Sequence, residues 1–125
     1  MLTIGSVVLG VSDVPRAVAF WTRALGYEPR EAVNERWVVL RPAAGAGPGV
    51  QVALGRSESP AQERPRVHLD LYAEDAADQE AEVERLVGLG ARRVDWELYP
   101  PEADFVVLAD PDGNRFCVID TSRGG

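Results

Sequence analysis

The sequence predicts an α+β fold built from two pseudo-symmetric βαβββ modules, and three observations carry that prediction. Short apolar segments with strand alternation flank a helical pattern, in the same order in each half of the chain. Each helical pattern has the same punctuation, Asp13 before and Gly26 after the first, Asp75 before and Gly90 after the second. A polar stretch with two prolines, residues 56–65, stands between the halves. The reading is one domain over 1–125, with module one at 1–55, a linker at 56–65 and module two at 66–121.

Residues 2–11 alternate as Ile4, Val7, Leu9 and Val11 and read as the first strand. Ser12-Asp13 supplies an N-cap, and Pro15 falls in the first helical turn, where its missing N–H costs little. Val14, Ala17, Val18, Trp21, Ala24 and Leu25 then recur at helical spacing, and Gly26 is the natural stop. Tyr27 to Arg30 is a short extended piece. Trp37 to Arg41 is a strand, Pro42 to Gly49 a loop rich in Gly, Ala and Pro, and Val50 to Leu54 another strand. That loop is not a phosphate loop, because no Lys-Ser/Thr pair follows it.

The pattern then restarts. Val67 to Tyr72 alternates strictly. Asp75 caps a second helix, with Val83, Leu86 and Val87 as its inward face and an acidic early half that suits the positive end of the helix dipole. Ala91 to Asp95 is extended, and Trp96 to Asp104 is a loop containing Tyr99-Pro100-Pro101. Phe105 to Ala109, Asp110 to Asn114 and Arg115 to Asp120 read as strand, turn and strand. Overlaying the halves matches Ser6 with His68, Trp37 with Phe105 and Gln51 with Cys117. Such self-similarity signals a duplication. Each helix covers one sheet face, and the remaining faces are expected to enclose a cleft.

Bulk properties narrow the function. The chain has 125 residues with 46% hydrophobic content, so it can bury a core without staples. One cysteine excludes an internal disulfide and suits a reducing compartment. The N-terminus lacks a basic region, and no apolar run approaches the roughly 20 residues of a membrane span, so the expected location is cytoplasmic. Net charge is −7, and all 13 basic residues are Arg. An acidic chain repels phosphate backbones, so nucleic acid is not an expected partner.

The paired modules, the stretch Val11-Ser12-Asp13 through Arg16-Ala17 to Phe20-Trp21, and Asp110-Pro111-Asp112-Gly113-Asn114 before the last strand together resemble the vicinal oxygen chelate superfamily. That superfamily holds glyoxalase I, bleomycin-resistance proteins and extradiol dioxygenases. The resemblance implies a homodimer and a small-molecule ligand. In metal-dependent members, ligands stand on the first and last strand of each module; carried over, those positions are Ser6, Gln51, His68 and Cys117. Alternation then turns Ser6, Val8, Gln51, His68, Asp70, Tyr72 and Cys117 toward the cleft, and Trp37 and Trp96 are candidate aromatic walls.

The donor set is thin. His68 is a ready ligand, Cys117 ligates only as thiolate, Gln51 offers a carbonyl oxygen, and Ser6 is a poor donor. The reading is therefore a binding protein with no metal and no other cofactor. A divalent ion at Gln51, His68 and Cys117, serving a lyase, isomerase or dioxygenase, is the competing reading. A third is a metal-free acid/base enzyme using His68 and Asp70, which lie two residues apart on one face.

Overall fold

A computed structural model describes residues 1–124. The chain divides between Ala61 and Gln62 into two compact units. In the first, the order is β1 (Ser6–Val11), α1 (Val14–Leu25), β2 (Tyr27–Pro29), β3 (Trp37–Pro42) and β4 (Gln51–Arg56). In the second it is β5 (Leu69–Ala73), α2 (Ala76–Leu89), β6 (Arg92–Arg93), β7 (Phe105–Ala109) and β8 (Arg115–Asp120), followed by a 3-10 turn at Thr121–Arg123. Each unit is a four-stranded mixed sheet, ordered β1-β4-β3-β2 and β5-β8-β7-β6. In both, the first strand runs parallel to the last and the remaining pairings are antiparallel.

The helices begin and end where side-chain chemistry dictates. The Asp13 carboxylate accepts from the Arg16 backbone N–H at 3.0 Å, and the Asp75 carboxylate from that of Asp78 at 2.8 Å. Gly26 ends α1 in the left-handed region at φ 69°, which a Cβ disfavours. The inner face of α1 buries Val14, Ala17, Phe20 and Trp21. The rings of Phe20 and Trp21 meet edge-on at 5.0 Å. Helix α2 buries Val83 and Leu86 against β5 and β8. Gln79 fastens it further: its side-chain amide donates to the carbonyls of Asp104 and Val118, each at 2.9 Å.

Three sequence expectations need correction. The first strand starts at Ser6 rather than at residue 2, and Leu2 and Ile4 are exposed, because the β1–β4 pairing opens at Ser6 with Gln51. Likewise β5 starts at Leu69, which leaves Val67 and His68 in the approach to the strand. Val87 is exposed rather than inward, since the sheet is met by the stripe through Val83 and Leu86.

The largest correction concerns the overlay of the halves. Ser6 and His68 stand equally far before the capping residues Asp13 and Asp75, as do Val8 and Asp70. Val8 pairs with Ala53, whereas Asp70 pairs with Cys117. Trp37 pairs with Gly55, as Phe105 pairs with Ile119. Cys117 therefore corresponds to Ala53, and Gln51 corresponds to Arg115. The matching of Gln51 with Cys117 was two residues out. No helix among the described residues is long and apolar enough to cross a membrane.

Candidate functional site

In the second unit, the sheet face turned away from α2 carries its own apolar cluster. Val107, Cys117 and Ile119 are buried there, with Val94, Trp96 and Phe105 packed against them. Above this floor lies a pocket of about 450 Å³, in the range of small-molecule sites. Its walls include His68, Asp70 and Tyr72 from β5 and its approach, Trp96 and Leu98 from the loop after β6, and Arg115 and Cys117 from β8. Alternation accounts for the β8 contribution: Arg115, Cys117 and Ile119 share one face, while Phe116 and Val118 are buried with Leu86 and Val83 in the unit's core.

The polar centre of the pocket is a short row. His68 Nε2 lies 2.9 Å from Asp70 Oδ1, and Asp70 stands opposite Cys117 in the β5–β8 pairing, its carboxylate beside the thiol. His68 and Asp70 are about half exposed, whereas Cys117 is buried. Burial, then the Asp70 charge and its hydrogen bond, push the Cys117 thiol up from 9.0 to about 11. The thiol is thus held protonated at neutral pH, which opposes nucleophilic use.

His68, Asp70 and Cys117 are also the residues able to hold a metal, with ligand atoms all within 4.8 Å of one another. Imidazole, carboxylate and sulfur suit zinc in type and number, and suit a hard ion poorly because of the sulfur. An arriving ion would have to displace the Cys117 thiol proton and break the contact between His68 and Asp70.

The structure thus brings His68, Asp70, Tyr72, Trp96 and Cys117 into one pocket. Ser6, Val8, Gln51 and Trp37 belong to the first unit. There Ser6 and Gln51 are cross-strand partners, and the Gln51 amide donates to the Gly5 carbonyl at 3.1 Å and accepts from Arg30 at 3.4 Å. Val8 is exposed, and Trp37 lies over Gly55, where an added Cβ would come within 3.2 Å of the ring. Sequence reasoning overlooked Arg115, Asp104 and Phe105 as pocket residues. Arg115 was accessible to it, standing one pleat before Cys117 on the same face.

The loop over the pocket is tied down at Tyr99. Its hydroxyl accepts from the Val107 N–H at 2.7 Å, and its ring lies against Phe105 with centroids 5.3 Å apart. Tyr99→Phe is expected to lose roughly 1 kcal/mol in urea unfolding, the scale of one net hydrogen bond. Faster amide exchange at Val107 would confirm the cause.

Comparison with known proteins agrees with this architecture. A family model described as Glyoxalase-like domain matches residues 6–119. A glyoxalase-related enzyme from Fulvimarina pelagi aligns at 18% identity, covering 95% of this chain and 88% of that one, with a TM-score of 0.70. Lactoylglutathione lyase from Agrobacterium tumefaciens aligns at 21% identity over 98% of this chain and 96% of that one, at 0.65. The fosfomycin resistance protein FosX from Listeria monocytogenes aligns at 17% identity over 95% and 92%, at 0.71. No curated protein matches the sequence. At these identities the solved structures speak for the fold, and the family model speaks for descent: the chain belongs to the glyoxalase-like domain family of the vicinal oxygen chelate superfamily.

Proposed function

We propose that this protein binds a small organic molecule in the pocket of its second unit, without a resident metal ion. The observation that carries the reading is the pocket itself: about 450 Å³, floored by Val107, Cys117 and Ile119 and walled by Trp96 and Phe105, a lining suited to an organic body. The donor set it offers an ion is small, one imidazole, one carboxylate and one buried thiol. The register adds support, because the first-unit counterparts of His68 and Cys117 are Ser6 and Ala53, a poor donor and none. A homodimer, a cytoplasmic location and the absence of nucleic acid among the partners belong to the same proposal; the net charge of −7 supports the last of these.

Elemental analysis of protein purified without chelator tests the metal-free part. Well under one equivalent of any divalent ion per chain is expected, and a full equivalent retained through gel filtration would overturn it. The closeness of His68, Asp70 and Cys117 favours one second reading, a zinc-dependent lyase or isomerase. That reading requires stoichiometric zinc uptake that Cys117→Ala and His68→Ala each abolish. Metal-free acid/base catalysis by His68 and Asp70 remains a third reading, motivated by their 2.9 Å contact. It requires turnover that follows a neutral-range titration and disappears in His68→Gln.

A further inference from the structure

The pocket of the second unit is polar along one edge of its floor and apolar along the other. The strand pairings lay that floor out in two rows. Asp70 on β5 stands opposite Cys117 on β8, which stands opposite Val107 on β7. One pleat further on, Tyr72, Ile119 and Phe105 form the second row. The β5 edge thus carries a carboxylate and a phenol side by side on one face. The β7 edge carries Val107 and Phe105, and Trp96 packs against the same floor.

The charge at the polar edge is accessible. The Asp70 side chain is 47% exposed, and it is Oδ1 that faces His68. An ionised carboxylate accepts at roughly four lone-pair sites and donates none, so His68 and the neighbouring thiol leave part of that capacity open. Tyr72, next on the same face, is 71% exposed and leaves ring surface free for a cation. Arg115 offers an incoming anion no comparable anchor, because its Nε and Nη1 atoms are buried. A second carboxylate, Asp104, lines the pocket next to Phe105 in the chain, and the net charge of the protein is −7. These charges attract a cation and repel an anion. Neighbouring strands lie about 4.8 Å apart, so the floor from β5 across β8 to β7 is roughly 10 Å wide. A fused aromatic ring with an amine on a short arm fits that width.

We propose that the pocket takes an arylalkylamine, with its ammonium group on Asp70 beside the Tyr72 ring and its aromatic body across Cys117 and Ile119 toward Phe105 and Trp96. This rests on the binding reading above and adds the class of ligand. A charge-assisted hydrogen bond to the carboxylate fixes the head group. Because an amine and an alcohol of the same shape cover the apolar floor equally, only the head group separates them.

The test is a matched set of probes: 2-(2-naphthyl)ethylamine, 2-(2-naphthyl)ethanol and naphthalene-2-acetate. Each is titrated into nitrogen-15-labelled protein and followed at the backbone signals of Asp70, Tyr72, Phe105, Cys117 and Ile119. The amine is expected to bind about tenfold tighter than the alcohol, the scale of a charge-assisted hydrogen bond, and the acid weakest. Asp70→Asn keeps the shape of the side chain, removes its charge, and is expected to level amine and alcohol. The same spectra report whether the variant is folded, and the amine-to-alcohol ratio in the unaltered protein needs no variant. Alcohol or acid binding in the pocket as tightly as the amine would overturn the arylalkylamine assignment and leave the binding reading standing. An amine preference that survives Asp70→Asn in folded protein, or that is lost in Asp104→Asn instead, would overturn the role of Asp70. If no probe moves the pocket signals, both the assignment and the binding reading fall.

Discussion

Replacing Asp110 with alanine is expected to destabilise the protein by roughly 2 to 3 kcal/mol, because it takes the acceptor from two part-buried backbone donors at once. Asp110 is 1% exposed, although a carboxylate is seldom so deep unless it is paired. Its Oδ1 accepts from the backbone N–H groups of Asp112 and Asn114, both at 2.9 Å, and its Oδ2 from the Asn114 side-chain amide at 3.3 Å. Backbone bonds close the same turn: Asp110 N–H donates to the Asn114 carbonyl, and Gly113 N–H to that of Asp110. Gly113, at φ 91°, takes the left-handed step that the turn requires. The side chain thus replaces water inside the turn. Asp110→Asn keeps one acceptor and is expected to lose about half as much. Denaturant unfolding measures both; an alanine midpoint equal to that of the parent would mean that water reaches these donors and that the account is wrong. The change should also weaken ligand binding, since the turn sets where β8 begins and hence where Arg115 and Cys117 stand.

The second large effect is alkaline. The Cys117 thiol titrates near 11 in the folded protein and at an ordinary 9.0 in the unfolded chain. Above the lower value the unfolded chain releases a proton that the folded state retains, so raising the pH favours unfolding. The stabilising contribution is complete below pH 9, shrinks at roughly 1.4 kcal/mol per pH unit above it, and is exhausted near 11 after a loss of roughly 2 to 3 kcal/mol. Burial raises Tyr27 as well, so part of the alkaline loss belongs to the first unit. The difference in slope between the parent and Cys117→Ala isolates the thiol, because a simple loss of packing in the variant shifts the curve without tilting it. Alkylation offers a kinetic check. At pH 8 the native thiol should react about a hundredfold more slowly than an ordinary cysteine, from its thiolate fraction alone. Asp70→Ala removes the two lesser causes of the shift and leaves burial, so it should recover part of that rate. Rapid labelling of the native parent at pH 8 would contradict the assignment.

Much of this molecule is legible in its sequence. Asp13, Gly26, Asp75 and Gly90 mark both helices because capping is local chemistry, decided within a few residues. The closing turn is legible for the same reason. Register is not local. Side chains in a strand repeat every two residues, so a slip of two keeps every residue on its face and leaves the apolar pattern unchanged. That is why Gln51 passes for the counterpart of Cys117 in the sequence, and why it takes the strand pairings, Val8 with Ala53 against Asp70 with Cys117, to expose the error. Arg115 was hidden differently. Its alternation was readable, but a charged residue at the start of a strand ordinarily faces water, and its buried, unpartnered donors are a tertiary fact.

The Gln79 amide, which holds the carbonyls of Asp104 and Val118 together, has a consequence for how a ligand gets in. The segment carrying Trp96, Leu98 and Tyr99 begins at Val94, whose N–H donates to the Val107 carbonyl, and ends at Ala103 and Asp104. Arg123 donates to the Ala103 carbonyl at 3.3 Å, and Asp120 N–H to that of Asp104 at 2.8 Å. Both ends are therefore moored to the hairpin and, through Gln79, to the helix behind it. Entry by a swinging flap would require these moorings to break. What can yield is the span between them, from Asp95 to Glu102, held by the Tyr99 hydroxyl, the Arg64–Glu97 ion pair, the Arg123 bond to the Glu102 carbonyl and the packing of Trp96 on the pocket floor. The doorway of the pocket is thus a short span fastened at several points on a frame that stays still, with the Tyr99 hydroxyl as its tie to the strand below.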